Sequence, residues 1–273
     1  MTEKSSTATA NRTFLGNSIF HCEDELGRMD VVDHLFNRSL HFDSKERQSC
    51  MSLTQPDKLV LAYTKFMMAV LVLIPPPRRV LCAGLGGGSI PKFLSCHFPA
   101  SLIDIVELRE KVARIAYDYF FLPRQPNMVV HVTDAGQFLA DNSPECYDLI
   151  ILDAFTQHGV AASVSRLSFM ENCSARLSER GALAVNLWSD PKEVFLPIQK
   201  KIAHCFGDAV YHLPVAENTN QIFFALKHPI PESRHATLLK RAKIMEKSFQ
   251  IGLPRMTRKL LKKNTDKHAR EIK

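Results

Sequence analysis

Missing from this chain are a Cys-x-x-Cys pair, an apolar leader, a long uncharged apolar run and an internal repeat. Its seven cysteines (Cys22, Cys50, Cys82, Cys96, Cys146, Cys173 and Cys205) are scattered and odd in number. That argues against a disulfide framework and for a reducing compartment. No group of His, Cys and acidic residues has the spacing of a metal site, so no metal is expected. The first residues, MTEKSSTATANRTF, lack the apolar core of a signal peptide. The longest apolar stretch, Leu59–Ile74, is short for a membrane span and contains Lys65. These absences predict a cytoplasmic protein of enzyme size, with no membrane span.

An excess of basic charge is also missing from most of the chain, despite a net charge of +7. Residues 227–273 hold 14 Lys or Arg against 4 Asp or Glu, a net +10, which leaves the other 226 residues at −3. The basicity belongs to the tail and says nothing about what the rest of the chain binds. Phe249 is the only Phe, Tyr or Trp in that tail, too little aromatic interleaving to favour nucleic acid. A solvated helix and tail is the plain reading, and contact with an acidic partner, whether RNA, acidic protein or anionic lipid, is the alternative.

What is present centres on Arg79–Glu107. The apolar run Val80–Ala83 leads into Gly84-Leu85-Gly86-Gly87-Gly88, then a helix-compatible segment from Ile90 to His97. A second apolar run, Leu102–Val106, ends on Glu107. Strand, glycine turn, helix, strand and terminal acid form the layout of a nucleotide-binding βαβ unit. Glycine permits the tight turn and lets backbone approach a ligand. Glu107 can accept hydrogen bonds from two ribose hydroxyls. Asp134 and Asp153 end two further apolar runs, which begin at Met128 and Tyr147. Ligands of open α/β sheets bind beyond the carboxyl ends of the strands, so these residues should converge on one crevice. Each also has a plainer use: the glycines can serve only a turn, the acids can be surface groups, and Asp153 can cap a helix.

Along the chain, residues 1–13 read as a polar, disordered N-terminus. Residues 14–55 alternate short apolar runs with turn residues, which suggests a small β-rich cap. Pro56 and Asp57 open an expected helix to about Leu73, with Leu59, Ala62, Phe66, Ala69, Val70 and Leu73 on one face. Strands and helices then alternate through the rest of a nucleoside-binding domain, residues 56–226. A helix is expected over Val164–Leu177, a fifth strand over Gly181–Leu187 and a helix over Lys192–Cys205. Ala209–Leu213 and Gln221–Leu226 should pair as a closing antiparallel hairpin. The tail, 227–273, begins at Pro229 and Pro231, with a helix over Glu232–Gln250 and a frayed basic end from Arg255.

The series VLCAGLGGGSIPKFL, DIVEL, VTDAGQFL and YDLIILDAF resembles the spermidine synthase family of polyamine aminopropyltransferases. The likeness spans roughly residues 14–226. It implies the class I methyltransferase fold: a Rossmann-like, mostly parallel seven-stranded sheet with helices on both faces and an N-terminal β cap. It implies decarboxylated S-adenosylmethionine as co-substrate, with no tightly bound cofactor. By the resemblance, Gly84, Gly86 and Gly88 cradle the nucleoside, Glu107 binds ribose, and Asp134 with Ala135 reads adenine. Asp153 orients and deprotonates the attacking amine, Gln48 and Tyr63 line the amine pocket, and Gln221 matches a Gln of the closing strands.

Two departures stand out. Gly87 takes the place of an acid in the family's glycine loop, and Thr156 takes the place of a second amine-binding acid. Glu217 is a candidate replacement for the lost acid. Transfer from a sulfonium is an in-line displacement that rests on positioning, and an amine with a pKa of roughly 10 must also lose a proton. A carboxylate or phenol, Asp153 or Tyr63, would take it. Three readings follow: an aminopropyltransferase acting on a polyamine, an S-adenosylmethionine-dependent methyltransferase, and a non-catalytic nucleoside-binding scaffold. The family likeness implies a dimer or a tetramer, of which a homodimer is expected, with the apolar Leu59–Ile74 helix as one candidate interface.

Overall fold

The alternation in residues 14–52 becomes a four-stranded antiparallel meander in the computed structural model, which describes residues 14–141, 146–156, 159–160, 163–215 and 219–271. Its strands are β1 (Asn17–Asp24), β2 (Gly27–His34), β3 (Asn37–Phe42) and β4 (Ser49–Ser52). Met29, Val31, Leu40, Phe42 and Met51 of this sheet pack on Val112, Ile115 and Phe120. The cap is therefore welded to the main domain through a shared apolar core.

The helix expected from Pro56 to Leu73 is shorter and broken. It forms as α1 (Ala62–Met67) and α2 (Val70–Leu73). Every residue from Met67 to Ile74 is buried, so the segment has no polar face, and the one-sided pattern expected of it is corrected. It is covered by the chain's own tail, which also corrects its reading as an interface helix: Met67–Ile74 shares one core with Leu238, Phe249, Leu253, Met256 and Leu260.

The main sheet is built from β5 (Arg79–Ala83), β6 (Leu102–Glu107), β7 (Met128–Val132) and β8 (Tyr147–Leu152). A short pair, β9 (Phe155–Thr156) and β10 (Gly159–Val160), follows β8. The sheet is completed by β11 (Leu177–Trp188), β12 (Val210–Pro214) and β13 (Asn220–Leu226). The order is β12-β13-β11-β8-β5-β6-β7, and β13 alone runs against the other six. Near-continuous apolar sequence in β5, β8 and β11 suits strands covered on both faces. The covering helices are α3 (Ser89–His97), α4 (Glu110–Tyr119), α5 (Ala135–Ala140), α6 (Leu167–Arg176) and α7 (Lys192–Phe206). The chain leaves β5 towards β6 on one side and returns to β8 on the other. The crevice between β5 and β8 is thus the topological switch point, where ligands of such sheets bind.

The tail forms two helices, α8 (His235–Phe249) and α9 (Leu253–Glu271), in place of a solvated helix and a frayed end. Leu253, Met256 and Leu260 are buried, while Arg255, Arg258, Lys259 and Lys262 are exposed. Each fully buried apolar side chain there stabilises the dock by about 2 kcal/mol. Phe249 packs edge-on against Phe93 of α3, with ring centroids 5.1 Å apart. Among the described residues, no helix is long and apolar enough to cross a membrane.

Candidate active site

A cavity of about 690 Å³ opens at the switch point, roofed by the β3–β4 loop of the cap. Its floor depends on Gly84, where φ is +100° and an added Cβ would lie 2.3 Å from the Asp153 carbonyl oxygen. Only glycine lets the ends of β5 and β8 come this close. Gly86 also lines the cavity, whereas Gly88 lies behind it at the N-cap of α3, against Leu122. At Gly87 an added Cβ would meet the Phe120 ring at 2.6 Å and Ser49 Oγ at 2.8 Å. The place of the family's acid is filled by the cap and the end of α4.

Glu107 is buried at the end of β6, on the cavity wall. The Leu85 amide donates to its Oε2 at 3.1 Å and the Arg109 amide to its Oε1 at 2.9 Å. Burial pushes its carboxyl above the ordinary range, against the pull of the Arg109 and Leu85 amides. Each oxygen keeps a lone pair for a hydroxyl. Asp134 ends the stretch after β7 and lines the cavity with Ala135. Asp134 Oδ1 also caps α5, accepting from the Gln137 amide at 3.0 Å. The helix-capping role considered for Asp153 thus falls to Asp134.

Asp153 is gripped from two sides. Tyr63 Oη donates to its Oδ2 at 3.0 Å, and Asn186 Nδ2 donates to its Oδ1 at 2.9 Å. Asn220 Nδ2 in turn donates to Asn186 Oδ1 at 2.8 Å, and both asparagines are buried. Burial raises the Asp153 carboxyl, and the Asn186 and Tyr63 hydrogen bonds oppose the rise. Burial and the neighbouring carboxylate push the Tyr63 phenol well above its ordinary value. The phenol therefore stays protonated and serves Asp153 as a donor. Gln48 lines the same wall, its carbonyl oxygen 3.4 Å from Tyr63 Oη.

Gln221 is not brought to the cavity. Its Oε1 accepts from His212 Nε2 at 2.7 Å, and Asn220, one residue earlier, lines the cavity instead. Successive strand residues face opposite ways, so a one-residue shift in phase exchanges them. Glu217 lies outside the described residues. His131 bonds Asp104 at 2.9 Å, away from the site.

Sequence reasoning missed Asn186, Asn220, Trp188 and Asp190, all on the cavity wall. A buried amide inside the apolar run Ala184-Val185-Asn186-Leu187 was the available signal, since such a group requires a partner. Arg109 was missed as well. Its guanidinium donates to both oxygens of Asp24, at 3.0 and 2.6 Å, and to the Gly27 carbonyl at 2.6 Å, and stacks 4.8 Å from the Phe42 ring. The pair holds the cap's first hairpin beside the Glu107 wall of the cavity. Lys92, buried in α3, donates to the Phe120 carbonyl at 2.6 Å and is pushed down to about 8 by burial. Among the described residues no group of His, Cys, Asp and Glu is placed to hold a metal.

This sheet order, with a glycine turn at the switch point and acids at three successive strand ends, is that of the class I methyltransferase fold. No protein-family model matches the chain. It is 30% identical over 241 residues to a polyamine aminopropyltransferase of Vibrio vulnificus, covering 86% of this chain and 80% of that one. Human methyltransferase-like protein 13, solved with SAH, superposes with a TM-score of 0.63 at 25% identity, over 70% of this chain and 93% of that one. A spermidine synthase solved with the transition-state analogue AdoDATO gives 0.65 at 17% identity, over 79% and 75%. The chain belongs to the polyamine aminopropyltransferase family.

Proposed function

We propose that the chain transfers an aminopropyl group from decarboxylated S-adenosylmethionine to a polyamine-type amine. The observation that carries this reading is Asp153, a partly desolvated carboxylate fixed by Tyr63 and Asn186 beside the nucleoside-binding acids. In this proposal Glu107 takes the ribose hydroxyls, and Asp134 with Ala135 takes the adenine edge. The acceptor enters as an ammonium, pairs with Asp153 and gives it a proton. The freed nitrogen attacks the propyl carbon next to sulfur. A C–N bond forms, the C–S bond breaks, and its electron pair returns to sulfur, leaving a neutral thioether nucleoside. Asp153 then passes its proton to solvent. The raised carboxyl of Asp153 suits a base, because a stronger base takes a proton from an amine more readily.

Methyl transfer from S-adenosylmethionine is the second reading. It is favoured by the absence of an acid at Gly87 and by Lys45 and Arg47 on the cavity roof, which could pair with the methionine carboxylate. Calorimetric titration with each nucleoside separates the two. A tenfold preference for the decarboxylated form, about 1.4 kcal/mol, supports aminopropyl transfer. The reverse preference supports methyl transfer, and binding of neither refutes both.

The nucleoside is treated as a co-substrate rather than a resident cofactor. A cytoplasmic homodimer remains part of the proposal, with its interface away from the buried Met67–Ile74 segment, and sedimentation tests the stoichiometry. The exposed basic face of α9 is retained as the candidate contact for an acidic partner.

A further inference from the structure

We infer that Asp190 binds the distal ammonium of a diamine or longer polyamine acceptor, with Trp188 packing on the methylenes between. This rests on the aminopropyl-transfer reading and supplies what that reading lacks among the described residues, a second carboxylate on the amine side. Asn186, Trp188 and Asp190 are alternate residues of one chain segment, and all three line the cavity. Asn186 fixes the near end, because it holds Asp153 at 2.9 Å. At about 3.3 Å of rise per residue, Trp188 stands roughly 7 Å further along the wall, and Asp190 at most about 13 Å along it. β11 lies on the other side of β8 and β5 from β6 and β7, whose ends carry Glu107 and Asp134.

Charge leads to the same residue. A diamine bound at Asp153 by one nitrogen keeps its other nitrogen protonated, and that cation needs a partner. Glu107 and Asp134 belong to the nucleoside end of the cavity. Glu46 sits on the roof between Lys45 and Arg47, which offset its charge. Asp190 is exposed and makes no hydrogen bond or ion pair among the described residues. Trp188, the only tryptophan of the chain, is half-buried beside it. A flat aromatic wall ending in a carboxylate suits an alkyl chain ending in a cation.

The test is steady-state kinetics of the full chain with saturating decarboxylated S-adenosylmethionine and either 1,4-diaminobutane or butylamine. Asp190→Asn should raise the KM of the diamine about fivefold, as expected for an ion pair open to solvent. The KM of butylamine and of the nucleoside should move less than twofold in the same variant. Added salt should weaken diamine binding in the wild type and lose most of that effect in the variant. Asp190→Lys should raise the diamine KM further. An unchanged diamine KM, or an equal rise for both amines, overturns the inference while the aminopropyl-transfer reading stands. If the wild-type protein turns over neither amine nor a longer polyamine, the aminopropyl-transfer reading falls and this inference falls with it.

Discussion

Asp153→Asn separates chemistry from architecture at the centre of the site. The substitution keeps the side chain's shape and removes its charge and its capacity to take a proton. Asn186 can go on donating to an amide oxygen at the Oδ1 position, now 2.9 Å away. The new amide nitrogen then stands near the present Oδ2, 3.0 Å from Tyr63 Oη, so the phenol must turn its proton aside. The Gln48 carbonyl, 3.4 Å from the same oxygen, offers it an acceptor. Folding should therefore survive. Burial raises the Asp153 carboxyl above its unfolded value, so the native state holds the proton more tightly than the unfolded chain does. The stability this contributes is present below the ordinary aspartate range and is lost as pH rises through the raised value. At neutral pH the amide variant escapes that cost, and its urea midpoint should match or exceed the wild type. Loss of a general base should lower kcat by ~100- to 10,000-fold. Nucleoside affinity, measured by calorimetry, should stay within about twofold if the nucleoside contacts lie elsewhere. A kcat within tenfold of wild type, or a matching loss of nucleoside binding, would refute the assignment.

Three further outcomes follow from the same contacts. Tyr63→Phe removes a donor that holds the Asp153 carboxyl down, so the acid limb of the pH–rate profile should move to higher pH; kcat at neutral pH should fall about tenfold, the weight of one hydrogen bond to a charged group. Gly84→Ala sets a Cβ 2.3 Å from the Asp153 carbonyl at φ +100°, and urea denaturation should show a loss of about 2 kcal/mol or more together with weaker nucleoside binding. Asp24→Asn strips the charge from the partner of a largely buried Arg109, which should cost about 2 kcal/mol and loosen the cap, seen as faster proteolysis of the first hairpin. Burial opposes the charge on Asp24, but Arg109 prevails and its carboxyl lies below the ordinary value of 3.8. The stability it contributes is therefore present above that value and is lost as pH falls through the depressed one, and the variant should lack this acid-side slope.

The parts of the molecule legible before folding were those in which local chemistry and tertiary role agree. Gly84 needs a backbone that other residues avoid, and Glu107, Asp134 and Asp153 interrupt apolar runs where a parallel strand must end. Such positions announce themselves one at a time. The antiparallel end of the sheet did not. Both faces of β13 are buried almost throughout, so its sequence carries no phase, and Gln221 was read for Asn220. The segment from Leu59 to Ile74 misled for a similar reason. Helical spacing can be picked out of it, but the intervening residues are apolar too, and such a run marks burial all round rather than one face. In α9 the reverse held. Leu253, Met256 and Leu260 stand at helical spacing, but the dense charge around them made the tail look solvated. The Asn186–Asn220 pair joins β11 to β13 across 34 residues of sequence, a distance over which no local pattern can report a hydrogen bond.

The choice between aminopropyl and methyl transfer turns on where the chain can hold a donor carboxylate. An acid at Gly87 would repel that carboxylate, but the Phe120 ring and Ser49 already occupy its space, so its absence says less about the donor than the sequence comparison implies. A positive preference for S-adenosylmethionine needs a cation on the wall. Arg109 lines the cavity but is taken up by Asp24, the Gly27 carbonyl and the Phe42 ring. Lys92 is committed behind the glycine loop to the Phe120 carbonyl. Lys45 and Arg47 remain, and both are exposed. An exposed ion pair contributes about 0.2–1 kcal/mol, at most about a fivefold preference. With the cap as it stands, the cavity can tolerate the carboxylated donor without selecting it. A tenfold selection of S-adenosylmethionine would require the β3–β4 loop to close and bury one of these two cations against the donor. In that event exchange of the loop's amide hydrogens should slow with S-adenosylmethionine and not with the decarboxylated form.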